Sequence, residues 1–320
     1  MIIVRISMGL GNQLFQYAAG KALSLEKNVP LKVDIASYGG YKLRNYELEK
    51  SFDINTPVAT PTEIQHYYYP HPVKRVWNNL FPSRKMRVLG LRYDEPPLQK
   101  KLLQAHDLLL PPHKRTTYIE PHLNFDAHFF KANDDIYLQG YWMSWRYFEK
   151  YDETIRKIFT IHKPVVAHLE NIVDDIHAQN SVSIHIRRTD YTSAAVIALK
   201  GQTTMGFYKN AIDIIEAKIN NPVYYMFSDD IEWVKENFPM QDRMVHYIDN
   251  SISNSAIEDF YLMQQCRHNI ITHSTFGWWA AYLNPNKEKM IIAPKKWFIK
   301  KSHNDKDICP PSWITIENNI

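Results

Sequence analysis

The 320-residue chain has only two cysteines, Cys266 and Cys309. That excludes a disulfide framework and any multi-cysteine metal site, and makes a reducing cytosol the expected setting. No run of about 18 apolar residues is available to span a bilayer. The opening Met1-Ile-Ile-Val-Arg-Ile-Ser7 lacks the basic start and cleavage pattern of a secretory signal. Histidine is frequent, but no H-E-x-x-H or cysteine–histidine spacing occurs, so no zinc is expected. Net charge is only +4, from 38 basic and 34 acidic residues, which is too little and too dispersed for a nucleic-acid binder. What remains is an ordinary globular composition, 45% hydrophobic and 22% charged, at a length suited to two modest domains. Aromatic residues reach 13%; flat rings suit sugar faces, although most belong in a core.

The chain begins as strand, glycine turn, helix, strand. Ile2 to Ile6 is short and apolar, Leu14 to Leu25 has helical spacing, and Leu31 to Ile35 alternates. Thr60-Pro-Thr-Glu63 has the form of a capping box with proline at the first helical position. Residues 56 to 115 are otherwise irregular. Within them, 73–87 mixes basic and aromatic residues; it reads as a solvated helix and loop or as a contact with an anionic bilayer, where each cation adds about 1 kcal/mol. The expected location is therefore cytoplasmic, either free or peripheral at the inner face of a membrane. Further on, Ile136 to Trp142 reads as a strand and Trp145 to Ile158 as a helix. From Lys163 strands and helices alternate: strands at 182–187, 223–228, 245–248, 269–272 and 290–293, helices at 207–218, 231–237, 255–265 and 276–283. Such alternation implies α/β architecture with parallel, doubly wound sheets, here two halves with a cleft between them.

Ligands of open parallel sheets lie outside the carboxyl ends of strands. Four polar clusters fall at such ends: Gly9 to Gln13, His185 to Asp190, Ser228-Asp229-Asp230, and His273-Ser274-Thr275. In Ser183-Ile-His-Ile-Arg-Arg-Thr-Asp190 the period of two puts His185 and Arg187 on one face, with Ile184 and Ile186 on the other. A guanidinium fork there suits a phosphate or diphosphate, and Arg188 reaches the same ligand only if the strand ends at that point. Asp229 and Asp230 read as a helix cap plus a ligand contact, or as a metal-binding pair. Glu258 is explained by a capping box, Ser255-Ala-Ile-Glu258, whereas Asp259 is not, and is the better candidate for recognising a base. Ser274 and Thr275 precede a helix, where hydroxyls and N–H groups bind phosphate together. Trp278 and Trp279 read as packing.

Three segments together, Gly9-Leu-Gly-Asn-Gln-Leu-Phe-Gln-Tyr-Ala18, His185-Ile-Arg-Arg-Thr-Asp-Tyr191 and Ser274-Thr-Phe-Gly-Trp-Trp-Ala-Ala-Tyr-Leu283, closely resemble the bacterial α1,2-fucosyltransferases of glycosyltransferase family 11. The likeness runs to about Phe298 and extends more faintly to α1,6- and protein O-fucosyltransferases. It implies a GT-B-like fold of two Rossmann-type domains, with residues 1–160 on the acceptor side and 161–320 binding GDP-fucose. It implies inverting transfer of L-fucose to the 2-hydroxyl of a galactose unit in an oligosaccharide or lipid-linked glycan, without metal or other cofactor. The rivals are a fucosyltransferase of other linkage, such as α1,6, and a non-catalytic carbohydrate- or nucleotide-binding protein. Carried over, Arg187 stabilises the leaving diphosphate; His185, Arg188, Asp229, Ser274, Thr275 and Phe276 complete the donor site; Asp259 meets the guanine. Asn12 faces the reaction centre, Gln13 and Tyr191 the acceptor, and Asp190 is a catalytic candidate weakened as a base by the neighbouring arginines. The chain departs from the family in that its first motif begins Ser7-Met8-Gly9, where Gly-Gly is more usual, and in Gly277, where serine is frequent.

Overall fold

A computed structural model describes residues 1–40, 45–68, 115–162, 166–188, 203–299 and 304–318. Two compact units divide the chain: Met1–Lys50 with Ile54–Ile158, and Ser51–Asp53 with Phe159–Ile320. The short excursion into the second unit has a packing cause. Phe52 sets its ring 5.5 Å from Phe159 and 6.2 Å from Phe260, and bridges to Ile161.

In the first unit, β1 (Ile2–Arg5), α1 (Leu10–Lys27) and β2 (Leu31–Asp34) form the anticipated βαβ start. They are followed by α2 (Leu48–Ser51), α3 (Pro61–Tyr68), β3 (Thr117–Ile119), β4 (Ile136–Gln139) and α4 (Asp152–Ile158). The sheet order is β2-β1-β4-β3, and every pair is parallel. All four residues of β1 are buried, as a strand covered on both faces requires. The capping box opens α3: Glu63 Oε2 accepts from Thr60 N at 2.8 Å, and Thr60 Oγ1 accepts from Glu63 N at 3.3 Å. The expected continuous helix from Trp145 is instead two 3₁₀ turns, Trp145–Tyr147 and Glu149–Tyr151, ahead of α4. Phe148 interrupts it at φ −137°, ψ 4°, because its fully buried ring is drawn against Phe15.

The second unit runs α5 (Glu170–Ala178), β5 (Asn180–Ile186), α6 (Met205–Glu216), β6 (Pro222–Ser228), α7 (Ile231–Asn237), β7 (Met244–Tyr247), α8 (Ala256–Gln265), β8 (His268–Ile270), α9 (Thr275–Leu283), β9 (Ile291–Pro294) and β10 (Ile314–Ile316). Its order is β10-β9-β8-β5-β6-β7, again wholly parallel. Strand order therefore reverses between β5 and β8, and in the first sheet between β1 and β4. Crevices for ligands open at such reversals, at the carboxyl ends. Val182, Ile184 and Ile186 turn to a core shared with Phe207, Ile212, Ile215 and Val234. The other face of β5 carries Ser183, whose hydroxyl accepts from Asn269 Nδ2 at 2.7 Å. Asn284 Nδ2 donates in turn to Asn269 Oδ1, so a buried amide network ties β8 to the loop after α9. Among the described residues no helix is long and apolar enough to cross a membrane.

Candidate active site

At the end of β5 the strand stops with Ile186, so Arg187 and Arg188 are free of the pleat's alternation. They nevertheless take separate partners. Arg187 Nη1 lies 3.2 Å from Asp229 Oδ2, while Asp229 Oδ1 accepts from the Arg188 backbone N–H at 2.8 Å. Arg188 Nε reaches Asp230 Oδ2 at 3.1 Å, and its guanidinium carbon sits 3.4 Å from the centre of the Trp233 ring. Two readings from sequence change here. Asp230 stands at the N-cap of α7 but makes no capping bond, because its carboxylate is drawn to Arg188. Arg188 is committed to Asp230 and Trp233 on α7 rather than converging with Arg187 on one ligand. Arg187, held by Asp229, remains the phosphate candidate.

His185 is 5% exposed. Burial, then the Arg187 charge, push its pKa down to about 4 against the pull of Asp229, so the ring is neutral at pH 7. Its Nδ1 has no hydrogen-bond partner. A β-carbon on Gly277 would stand 2.6 Å from that nitrogen, which gives the departure at position 277 a local cause: α9 approaches the histidine too closely for a side chain. Phe276 lies 5.7 Å from the same ring. Ser274 is buried at the N-cap of α9, in extended conformation and without a capping bond from its hydroxyl; Thr275 begins the helix, half-buried. Trp278 and Trp279 are fully buried, Trp278 stacking on Tyr282 at 4.7 Å.

On α8, Asp259 is half-buried, and burial pushes its pKa up to about 6 against the Ser253 hydroxyl. Glu258 is taken up by local structure, but not as an ordinary capping box. Its Oε2 accepts from Asn254 N at 2.7 Å, and the Ser255 hydroxyl donates to Oε1 rather than accepting from the helix.

In the first unit, Asn12 is half-buried in the first turn of α1, and its side chain makes no hydrogen bond to another described residue. Gln13 is not available to an acceptor: it is fully buried, its Nε2 donates to Met8 O and Asn45 O, and its Oε1 accepts from Glu47 N. Its amide anchors the loop ahead of α2. Asp190, Tyr191 and the basic stretch 73–87 lie outside the described residues. Sequence reading passed over Glu120, directly after β3. Its Oε2 accepts from Tyr141 N at 2.7 Å and its Oε1 from Trp142 N at 3.0 Å. Burial raises its pKa to about 8 against those two bonds. A lone carboxylate after an unrecognised three-residue strand carries no signal in sequence. Among the described residues no group of three His, Cys, Asp or Glu could hold a metal ion.

Two parallel α/β units, one bearing arginines at its switch-point strand, define the GT-B-like architecture of nucleotide-sugar transferases. Of solved structures, fucosyltransferase NodZ from Bradyrhizobium, in the crystal form soaked with GDP-fucose, superposes with a TM-score of 0.51 over 92% of this chain and 94% of its own, at 16% identity, a likeness of fold. The family model of glycosyl transferase family 11 matches residues 108–317, and the chain belongs to that family. The Alpha-1,2-colitosyltransferase of Escherichia coli is 33% identical over 99% of both chains. The Galactoside 2-alpha-L-fucosyltransferase SEC1 of Bos taurus is 32% identical over 57% of this chain and 52% of its own.

Proposed function

We propose that this family 11 glycosyltransferase moves L-fucose from GDP-fucose, with inversion, to the 2-hydroxyl of a galactose unit in a glycan. The observation that carries the reading is Arg187, held by Asp229 at the carboxyl end of the switch-point strand β5. As the bond from the anomeric carbon to the diphosphate breaks, negative charge grows on the β-phosphate. A guanidinium already oriented by Asp229 offsets that charge without a divalent ion. Neutral His185 supplies a hydrogen-bonding ring rather than a second cation, and Ser274 and Thr275 bring hydroxyls and helix N–H groups to the end of the neighbouring strand β8. Asp259, mostly ionised at pH 7, offers a carboxylate to the guanine N–H groups. Asn12 lies at the matching edge of the first sheet.

The full-length likeness to an enzyme named for colitose transfer favours a second reading, in which the donor sugar is colitose and the α1,2 linkage is kept. One assay separates them: GDP release from GDP-fucose and from GDP-colitose against a panel of galactosides, with and without EDTA. Turnover with GDP-fucose and a 2-linked product supports the first reading. Turnover with GDP-colitose alone supports the second, loss of activity in EDTA removes the arginine-only account, and no turnover with any pair rejects both.

A further inference from the structure

The carboxyl edge of the first sheet carries a second cluster, complete within its own unit. Strands β3, β4 and β1 are neighbours there, and strand order reverses between β4 and β1. Gln16 ties the loops after β1 and β4 together: its Nε2 donates to Gly140 O and Ser7 Oγ, and its Oε1 accepts from Ser7 N. Glu120 ties the loop after β3 to the one after β4. Its backbone N–H donates to Gln139 O, and its carboxyl accepts from Tyr141 N at 2.7 Å and from Trp142 N at 3.0 Å. A β-carbon on Gly140 would come 2.4 Å from that of Glu120, so glycine at 140 is what lets these two loops lie so close.

Trp142 fixes the same loop from the core side. It is fully buried, its ring 5.1 Å from Phe129 and 5.3 Å from Tyr147, and its backbone holds a left-handed φ of 57°, a conformation costly for a bulky residue. Tyr141 stands between pinned neighbours and is nevertheless 43% exposed. An aromatic residue shown to solvent on so constrained a backbone has little freedom left to lose when a flat apolar face packs on it. Glu120 is itself only partly buried, and each carboxyl oxygen has capacity beyond the one backbone N–H it accepts. Burial raises that carboxyl to about 8, so near pH 7 it carries its proton and can both donate and accept hydrogen bonds. A neutral carboxyl beside an exposed aromatic residue suits an uncharged, hydroxyl-bearing ligand with an apolar face. A pyranose has both, hydroxyls at its rim and C–H bonds across its face, and the axial 4-hydroxyl of galactose leaves the opposite face of C–H bonds unbroken.

We infer that Tyr141 and Glu120 form a saccharide contact belonging to the first unit alone, the ring packing on the C–H face of a galactose unit and the carboxyl hydrogen-bonding its hydroxyls. The choice of galactose rests on the transfer reading above; the contact itself draws on no residue of the second unit.

The test is direct binding, kept apart from turnover. Methyl β-galactoside, lactose and N-acetyllactosamine are titrated into the GDP-saturated full chain by saturation-transfer NMR and calorimetry. Wild type, Tyr141→Ala, Tyr141→Phe and Glu120→Gln are compared, with melting curves and GDP affinity for each. The wild type is expected to bind at least one of the galactosides. Tyr141→Ala is expected to weaken that binding about tenfold, as loss of an aromatic anchor does, at unchanged melting temperature and GDP affinity. Tyr141→Phe, which keeps the ring, is expected to stay within about threefold of wild type. Glu120→Gln is expected to weaken binding about five- to tenfold; should it melt early, the two Tyr141 variants decide. Wild-type affinity in a folded Tyr141→Ala overturns the inference. So does a Tyr141→Ala that loses melting temperature, GDP affinity and sugar together, which would make residues 140–142 a buttress of the fold, and so does a wild type that binds none of the galactosides. Sugar binding that depends on Tyr141 in a protein that turns over no donor rejects the transfer reading alone; turnover with acceptor KM unchanged in Tyr141→Ala rejects this inference alone.

Discussion

At the carboxyl edge of the second sheet, two partly exposed arginines pair with two aspartates and flank a neutral histidine. At the same edge of the first sheet the strand-end cation, Arg5, is buried, and what the described residues bring to the loops is amides, hydroxyls, backbone N–H groups and two carboxylates, Asp34 and Glu120. Two units of one architecture thus end differently, one in paired, partly exposed guanidiniums and the other in carboxylates held by neutral donors. The arginine-bearing edge is suited to an anion. The difference follows from which side chains each parallel sheet places beyond its strands.

The contrast breaks most directly at Arg187. Arg187→Ala removes the guanidinium but leaves Asp229 its bond to the Arg188 N–H, so the fold is expected to survive. By analogy with the loss of one oxyanion donor, transfer should fall about 10²–10³-fold, or 2.7–4 kcal/mol. Single-turnover rates with GDP-fucose measure it, and wild-type rates would mean the second sheet's charge is structural.

Next comes Gly277→Ala. The added carbon would sit 2.6 Å from His185 Nδ1, and the ring has little room to yield because it is buried against Phe276. Overpacking of this kind costs about 1–3 kcal/mol. A lowered melting temperature with a raised KM for the donor, at unchanged KM for the acceptor, would place the damage in the second unit alone. Gln13→Ala is the counterpart in the first unit. It removes the amide's bonds to Asn45 O and Glu47 N and one of two to Met8 O, which keeps the Tyr38 hydroxyl, at a cost of about 1–3 kcal/mol. If Gln13 is an anchor, urea unfolding shifts while acceptor KM in the folded enzyme holds; a large rise in that KM with unchanged stability would restore it as an acceptor ligand.

These residues also show how much sequence could reveal. The alternation of Val182, Ile184 and Ile186 fixed one face of β5 toward the core, and the polar run after it located the switch-point edge. Capping at Thr60 was equally readable, since its partners are three residues apart. What failed to show were partners distant in the chain. Nothing near Gln13 announces Glu47, nothing near Glu120 announces Tyr141, and the cap expected at Asp230 lost to an arginine 42 residues earlier. Strands of three residues, β3 and β10, are too short to show a period. Local chemistry was legible; tertiary competition for the same carboxylate or amide was not.

The smallest expected effect separates the two neighbouring arginines. Arg188 holds Asp230 through one Nε contact and sits over the Trp233 ring, its guanidinium carbon 3.4 Å from the centroid, so its value is in the plane of the guanidinium as much as in the charge. Lysine keeps the charge and loses the stacked plane. At a partly exposed site a cation–π contact is worth about 0.5–1 kcal/mol, so Arg188→Lys should lower stability by about that much and leave transfer within a few-fold of wild type. Were Arg188 instead a second fork on the diphosphate, the same change would cost bidentate recognition of an anion and bring the rate down toward that of Arg187→Ala. Comparing the two variants in one donor-binding and rate assay tells whether the second sheet offers its phosphate one guanidinium or two.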